Sequence, residues 1–404
     1  MYRQIHGDAP HSDVAVSLHQ LGIVHQDKGD HNAALDCSTD SLEMKRQIYG
    51  DAPHSDVAAS LHQLGTVYQA KGDHNAALKY SADSLEMKRQ IYGDAPHPDV
   101  AASLYMLGSV YQAKGDHNAA LKYSADSLEM KRQIYGDAPH SDVAASLHQL
   151  STVYKDKGDH NAALKYFTDS LEMKRQIYGD APHPDVATSL HQLGTVYQAK
   201  GDHNAALKYS TDSLEMMRQI YGDAPHPDVA ASLHQLSTVY KDKGDHNAAL
   251  KYSTDSLEMY RQIYGDAPHP DVAASLHQLS TVYKDKGDHN AALKYSTDSL
   301  EMYRQIYGDA PHPDVATSLH MLGSVYQAKG DHNAALKYST DSLEMRRQIY
   351  GDAPHPRVAA SLHQLDVVHY NRKDYRTSLD YFSKSYEMFM TVFNDETHPD
   401  VVNT

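Results

Sequence analysis

Tryptophan is absent from this chain, phenylalanine occurs four times and cysteine once. One large globular interior is therefore poorly supplied with bulky aromatic side chains. Cys37 stands alone, which excludes an internal disulfide and a thiolate metal cluster. No run approaches the roughly 20 apolar residues of a membrane span. The opening stretch Met1–Pro10 has no apolar signal core. Basic residues are also in the minority, 37 against 53 acidic, for a net charge of −16 with histidine neutral. Phosphate neutralisation needs a basic surface, so nucleic acid is excluded as an expected partner. The 29 histidines would shift this balance in mild acid. Together these shortages predict a cytoplasmic protein with neither a membrane nor a nucleic acid as partner.

What the chain has instead is repetition. The segment Met-Lys-Arg-Gln-Ile-Tyr-Gly-Asp-Ala-Pro-His recurs with little change, its methionine falling at Met44, Met87, Met130, Met173, Met216, Met259, Met302 and Met345. Met1 and Met388 keep the same 43-residue step. Nine units follow, starting at 11, 54, 97, 140, 183, 226, 269, 312 and 355 and ending at 397. Residues 1–10 match part of a preceding second helix, and 398–404 open a further unit. A period of 20–50 residues marks a solenoid or a propeller array.

Spacing decides between helix and strand. In the unit His54–Pro96, Val57, Leu61, Leu64, Val67 and Tyr68 recur at helical intervals. The second half repeats the pattern with Ala77, Tyr80, Ser84, Leu85, Lys88, Ile91 and Tyr92. Neither half alternates with period two. Gly72 is suited to the left-handed position after the first helix, and Asp73 to capping the second. Gly93 ends the second helix, and the run His97-Pro98-Asp99 starts the next. Each unit is thus two antiparallel helices that must stack to bury their apolar faces.

The unit resembles the tetratricopeptide repeat. Leu61-x2-Leu64-Gly65-x2-Tyr68 followed by Ala77-x3-Ser81 parallels its W-x2-L-G-x2-Y and A-x3-F pattern. Leucine replaces the tryptophan in every unit, while Phe167 and Phe382 restore the phenylalanine in two. The opening His183-Pro-Asp-Val-Ala-Thr-Ser-Leu190 and the Gly-Asp linkers resemble the longer repeats of kinesin light chains and nephrocystin-3-like proteins. The resemblance implies an all-α, right-handed superhelical solenoid of antiparallel helix pairs. It also implies a concave groove, lined by first helices, that holds peptide segments of partners. The paired asparagines of kinesin light chains are matched here by His-Gln, and no heptad coiled coil precedes the repeats.

The groove stripe expected in the second unit is Ala59, His62, Gln63, Thr66, Gln69 and Ala70. Its counterparts are Tyr105 and Met106; His148, Gln149 and Thr152; His191, Gln192 and Thr195; His234, Gln235 and Thr238; His277 and Gln278; and His320 and Met321. This stripe is polar, nearly neutral and rich in amides, suited to hydrogen-bonding an extended backbone. Recent duplication of solvated helix positions would produce the same uniformity. Lys155, Lys241 and Lys284 lie at its edge, each followed by Asp. The stripe itself has no Lys or Arg, which argues against gripping acidic chaperone tails.

The chemistry of a catalyst or metal site does not assemble. His54 and His62 are eight residues apart, about 12 Å along a helix, too far to share one metal at ~2 Å bonds. The loop from Asp156 places Asn161 and Phe167 where an EF-hand needs Gly and Glu. No phosphate loop, nucleophile elbow or dinucleotide fingerprint occurs. No metal, no cofactor and no enzymatic activity are expected. The predicted function is a scaffold or adaptor that binds partner peptides. The alternative is the partner-binding or sensor arm of a larger signalling protein, of which this chain is a fragment. Neither terminus supplies a clear polar cap, so head-to-tail self-association is a further expectation.

Overall fold

The computed structural model describes residues 10–351 and 353–393, which form 18 α-helices and no strand. They divide into two compact units, Met1–Asp202 and His203–Thr404. The first unit holds α1 (Ser12–Asp27), α2 (His31–Tyr49), α3 (Ser55–Ala70), α4 (His74–Tyr92), α5 (Pro98–Lys114), α6 (His117–Tyr135), α7 (Ser141–Asp156), α8 (His160–Tyr178) and α9 (Pro184–Ala199). The second holds α10 (His203–Tyr221), α11 (Pro227–Asp242), α12 (His246–Tyr264), α13 (Pro270–Asp285), α14 (His289–Tyr307), α15 (Pro313–Ala328), α16 (His332–Tyr350), α17 (Pro356–Asn371) and α18 (Tyr375–Phe393).

The breaks fall where the chain has the residues to make them. Gly72 adopts φ +77°, a left-handed conformation that costs glycine little. Asp73 then caps α4, its side chain accepting the Ala76 amide at 3.0 Å. In the last such linker Lys373 takes the glycine's place and its φ of 65°. First helices start differently from the expectation, which had rested on Pro and Asp alone. Histidine is the cap: His54 Nδ1 accepts the Asp56 amide at 3.1 Å. Its ring stacks on Tyr49 with centroids 3.5 Å apart, and Tyr49 Oη donates to Asp56 Oδ2 at 2.9 Å. The same stack joins Tyr92 to His97, Tyr135 to His140 and Tyr178 to His183 in the first unit. It recurs in the second from Tyr221–His226 to Tyr350–His355.

The apolar core is shared between repeats. Leu85 of α4 packs with Val100, Leu104 and Leu107 of α5, and Leu128 of α6 with Val143, Leu147 and Leu150 of α7. Leu300 of α14 does the same with Val315, Leu319 and Leu322 of α15. No helix pair closes its own core, which is why the units must stack. Within a pair the helices cross on small residues. A Cβ built on Gly65 would lie 2.5 Å from Ser81 Oγ, and one on Gly108 equally close to Ser124 Oγ. In α7 and α8 this crossing is made instead by Ser151 and Phe167, and Phe167 is fully buried. Of the aromatic residues near the C-terminus, Phe389 is buried, whereas Tyr375 and Tyr386 are exposed. The expectations for residues 1–9 and 398–404 lie outside the described residues.

Candidate functional site

The first helices of each unit lie side by side and present one face. His62, His148, His191, His234, His277 and His320 are half-buried along it, together with Gln63, Gln192, Tyr105, Thr66, Thr152, Thr195 and Thr238. The expectation is corrected at five positions, two of them methionines. Met106 and Met321 are only 7% and 9% exposed and pack inward, against Ala77 and Val110 and against Ala292 and Val325. An unbranched thioether in a helix row flanked by small residues turns into the gap beneath it.

Gln149, Gln235 and Gln278 are also buried. Gln149 Nε2 donates to the Tyr105 carbonyl at 2.8 Å, and Gln278 Nε2 to Ser237 Oγ at 3.3 Å. These amides tie one first helix to the next. Other ties are Gln63 to Gln26 (2.6 Å), Gln69 to Ser109 (2.8 Å), Gln112 to Asp156 (2.6 Å) and Lys155 to Gln192 (3.2 Å). Much of the polar stripe therefore spends its hydrogen bonds inside the stack.

What remains open lies between neighbouring first helices. In the first unit a pocket of about 210 Å³ is lined by Tyr105, Ala145, His148, Lys174, Tyr178, Asp185 and Thr188, with Ser141 and Ala144. In the second, a pocket of about 150 Å³ is lined by His234, Ala274, His277, Gln278, Tyr303, Asp314, Thr317 and Ser318. Ala145, His148, Lys174, Asp185 and Thr188 stand three repeats before Ala274, His277, Tyr303, Asp314 and Thr317. The two pockets are one socket, formed at the same place in two repeats.

Four imidazoles of this face are pushed toward the neutral form. Burial, and then the Lys88 ammonium, lower His62 to about 4. Burial, followed by Lys174 and Lys155, does the same to His148. His277 falls to about 4 through burial and the adjacent His234 and Lys241. His320 falls to about 3 through burial and Arg346. Removing a charged ring from water without a paired anion is unfavourable, so the neutral form prevails.

The cations next to these rings come from beneath. Lys45, Lys88, Lys131 and Lys174 belong to second helices and are buried. Lys88 Nζ donates to Ser103 Oγ at 2.9 Å and to the Asp99 carbonyl at 3.2 Å, with no carboxylate in contact. Helical spacing placed Lys88 on the buried face, but the groove set, read from first helices alone, missed its ammonium. Burying a charge against neutral acceptors is unfavourable compared with an apolar side chain, and Met217 already holds the equivalent position. Lys88→Met is therefore expected to stabilise the chain by about 1 kcal/mol, read as a higher urea midpoint. A lower midpoint would contradict this.

Among the described residues, no group of three or more His, Cys, Asp or Glu is placed to hold a metal ion. None of their helices is long and apolar enough to cross a membrane.

Paired helices that share a core only with their neighbours, and that present a face of first helices in each unit, define an α-helical repeat scaffold. The tetratricopeptide repeat model matches residues 13–90, 56–133, 99–176, 142–219, 185–262, 228–305, 271–348 and 314–391, so the chain belongs to the tetratricopeptide repeat family. Members of this family serve in general as protein-interaction scaffolds. No curated protein matches the sequence. Among solved structures, the apo quorum sensor NprR from B. thuringiensis is 15% identical with a TM-score of 0.62, covering 91% of this chain and 99% of its own. A Rap protein complexed with competence and sporulation factor is 14% identical with a TM-score of 0.58, covering 95% and 99%. A putative kinesin light chain from Podosopora anserina with nearly identical repeats is 21% identical with a TM-score of 0.46, covering 53% and 99%. The likenesses to NprR and to the Rap protein are of fold.

Proposed function

We propose that the chain is a scaffold or adaptor that holds extended peptide segments of partner proteins across its first-helix face. The observation that carries this reading is the socket seen at equivalent places in the two units, each between adjacent first helices and rimmed by His, Asp and Thr. Neighbouring first helices pack about 8–10 Å apart, close to one three-residue turn of a polyproline II chain at about 3.1 Å per residue. A bound peptide would therefore present every third side chain to successive sockets. The Rap protein complexed with competence and sporulation factor supports the same use of this fold. A second reading is the sensor arm of a larger signalling protein, the use suggested by the quorum sensor NprR.

The test blocks the sockets without touching the core. Ala145 and Ala274 are partly exposed and line the two pockets. A random extended-peptide library retained by the whole chain is expected to be lost by at least tenfold in Ala145→Arg/Ala274→Arg, with the helical circular dichroism unchanged. Equal retention by the double variant would refute the face as the binding surface.

A further inference from the structure

The residue beneath the sockets changes along the chain. In the first unit it is lysine each time: Lys45, Lys88, Lys131 and Lys174. In the second it runs Met217, Tyr260, Tyr303, Arg346 and Phe389. Where this residue is a cation, the cation has a fixed seat. Lys174 Nζ rests on Ser189 Oγ at 2.9 Å and on the Asp185 carbonyl at 3.2 Å. Arg346 uses the same two acceptors one unit on, Ser361 Oγ at 2.8 Å and the Arg357 carbonyl at 2.6 Å. A serine hydroxyl and a first-turn carbonyl of the following first helix together form a place for a positive charge.

The Tyr303 repeat keeps the seat but contributes no cation to it. Ser318, the counterpart of Ser189, is 1% exposed and its Oγ has no hydrogen-bond partner. The equivalent serines of the Met217 and Tyr260 repeats satisfy themselves: Ser232 donates to the Asp228 carbonyl and Ser275 to the Asp271 carbonyl, both at 2.9 Å. Tyr303 is 7% exposed, and it lines the pocket together with Ser318 and Asp314. The Asp314 carboxylate is on that rim, anchored by Tyr307 Oη at 3.3 Å. The nearby lysines of this face are otherwise engaged: Lys284 donates to Ser324 Oγ at 3.2 Å, and Lys241 lies 3.5 Å from Asp242.

We infer that the Tyr303 socket binds a lysine side chain of a partner peptide, its ammonium seated on Ser318 Oγ and the Asp314 carbonyl and facing the Asp314 carboxylate. This deepens the peptide-binding reading and rests on it. The pocket's 150 Å³ accommodates the end of a lysine side chain. The Tyr303 ring adds the attraction of an aromatic face for a cation. The net charge of −16 draws cationic ligands toward the chain and disfavours acidic ones. The partner's ammonium thus does at this repeat what Lys174 does for itself.

The whole chain is titrated with a fluorescein-labelled peptide of four Lys-Gly-Ser triplets, and with its Glu-Gly-Ser and acetyl-lysine counterparts. The lysine peptide is expected to bind at least tenfold more tightly than either. Tyr303→Lys supplies the internal cation in surroundings that already accept Lys174, and should weaken the lysine peptide at least tenfold. Asp314→Asn, at a partly exposed position, should weaken it several-fold. Equal binding by Tyr303→Lys, or a glutamate peptide that binds as well as the lysine one, overturns the inference. If the lysine peptide fails to bind while the random library is still retained and still lost on Ala145→Arg/Ala274→Arg, the cation assignment falls and the scaffold reading stands.

Discussion

The melting temperature is expected to fall steadily as the pH is lowered from 6.5 to 4, before most carboxylates titrate. His62, His148 and His277 have folded-state values of about 4, and His320 about 3. In the unfolded chain each returns to about 6.5. Between these values the unfolded state binds protons that the folded state refuses, so stability declines with falling pH. The contribution is intact above about 6.5 and is lost by about pH 4, with His320 extending the loss toward 3. The effect is large because several rings contribute, and a proton on His277 disfavours one on His320. Thermal melts by circular dichroism at half-unit intervals measure it. Replacing His148 and His277 with glutamine should flatten the curve. A melting temperature constant from pH 7 to pH 4.5 would show that the rings are solvated in the folded protein.

The second large effect is local. Phe167 is fully buried and meets the His148 ring edge-on at 5.2 Å. Truncating a buried phenylalanine removes its transfer free energy and leaves a cavity, together about 3–5 kcal/mol. Phe167→Ala should lower the first urea transition by that amount. Phe167→Ser is expected to cost less, because Ser253 and Ser296 occupy the same place against a serine in other repeats. Serine is accommodated against either partner: Ser81 meets Gly65 and Ser124 meets Gly108, while Ser253 meets Ser237. Phe167 faces Ser151, whose hydroxyl is committed to the His148 carbonyl at 2.6 Å. With serine at 167 that hydroxyl is free to turn toward the Ala163 carbonyl, as Ser237 does toward the Ala249 carbonyl. Because repeat arrays open in parts, hydrogen exchange should rise first in α7 and α8. Uniform loss of protection along the first unit would argue against a local cavity.

How much of this was legible in the sequence depends on the range of the interaction. The helices and their breaks follow from local residues, such as Gly72 turning left-handed and Asp73 capping α4. The histidine caps were not legible in the same way. Imidazole is not among the favoured N-cap groups, and the role of His54 depends on the Tyr49 ring five residues earlier. The hydrogen bonds made along the first helices were not legible either. Gln149 looks available along its own helix and is engaged only because Tyr105 lies beside it, 44 residues earlier. Lys174 reads as one more residue on a buried stripe until the following helix brings Ser189 and Asp185 to its ammonium. Periodicity reports which way a side chain points, and contacts 15 or 40 residues distant decide what it meets there.

The stacked Tyr-His joint has a consequence for how such a chain changes over generations. Everything the joint needs, from Tyr49 to Asp56, sits within eight consecutive residues, and neighbouring repeats carry the same set. A gene that gained or lost one whole 43-residue copy by unequal crossover would still encode an intact joint on either side of the exchange. The protein can therefore lengthen or shorten in quanta of one repeat without inventing a new connection. Variation in copy number and exchange of the residue beneath each socket then become separable routes by which selection adjusts what the chain holds.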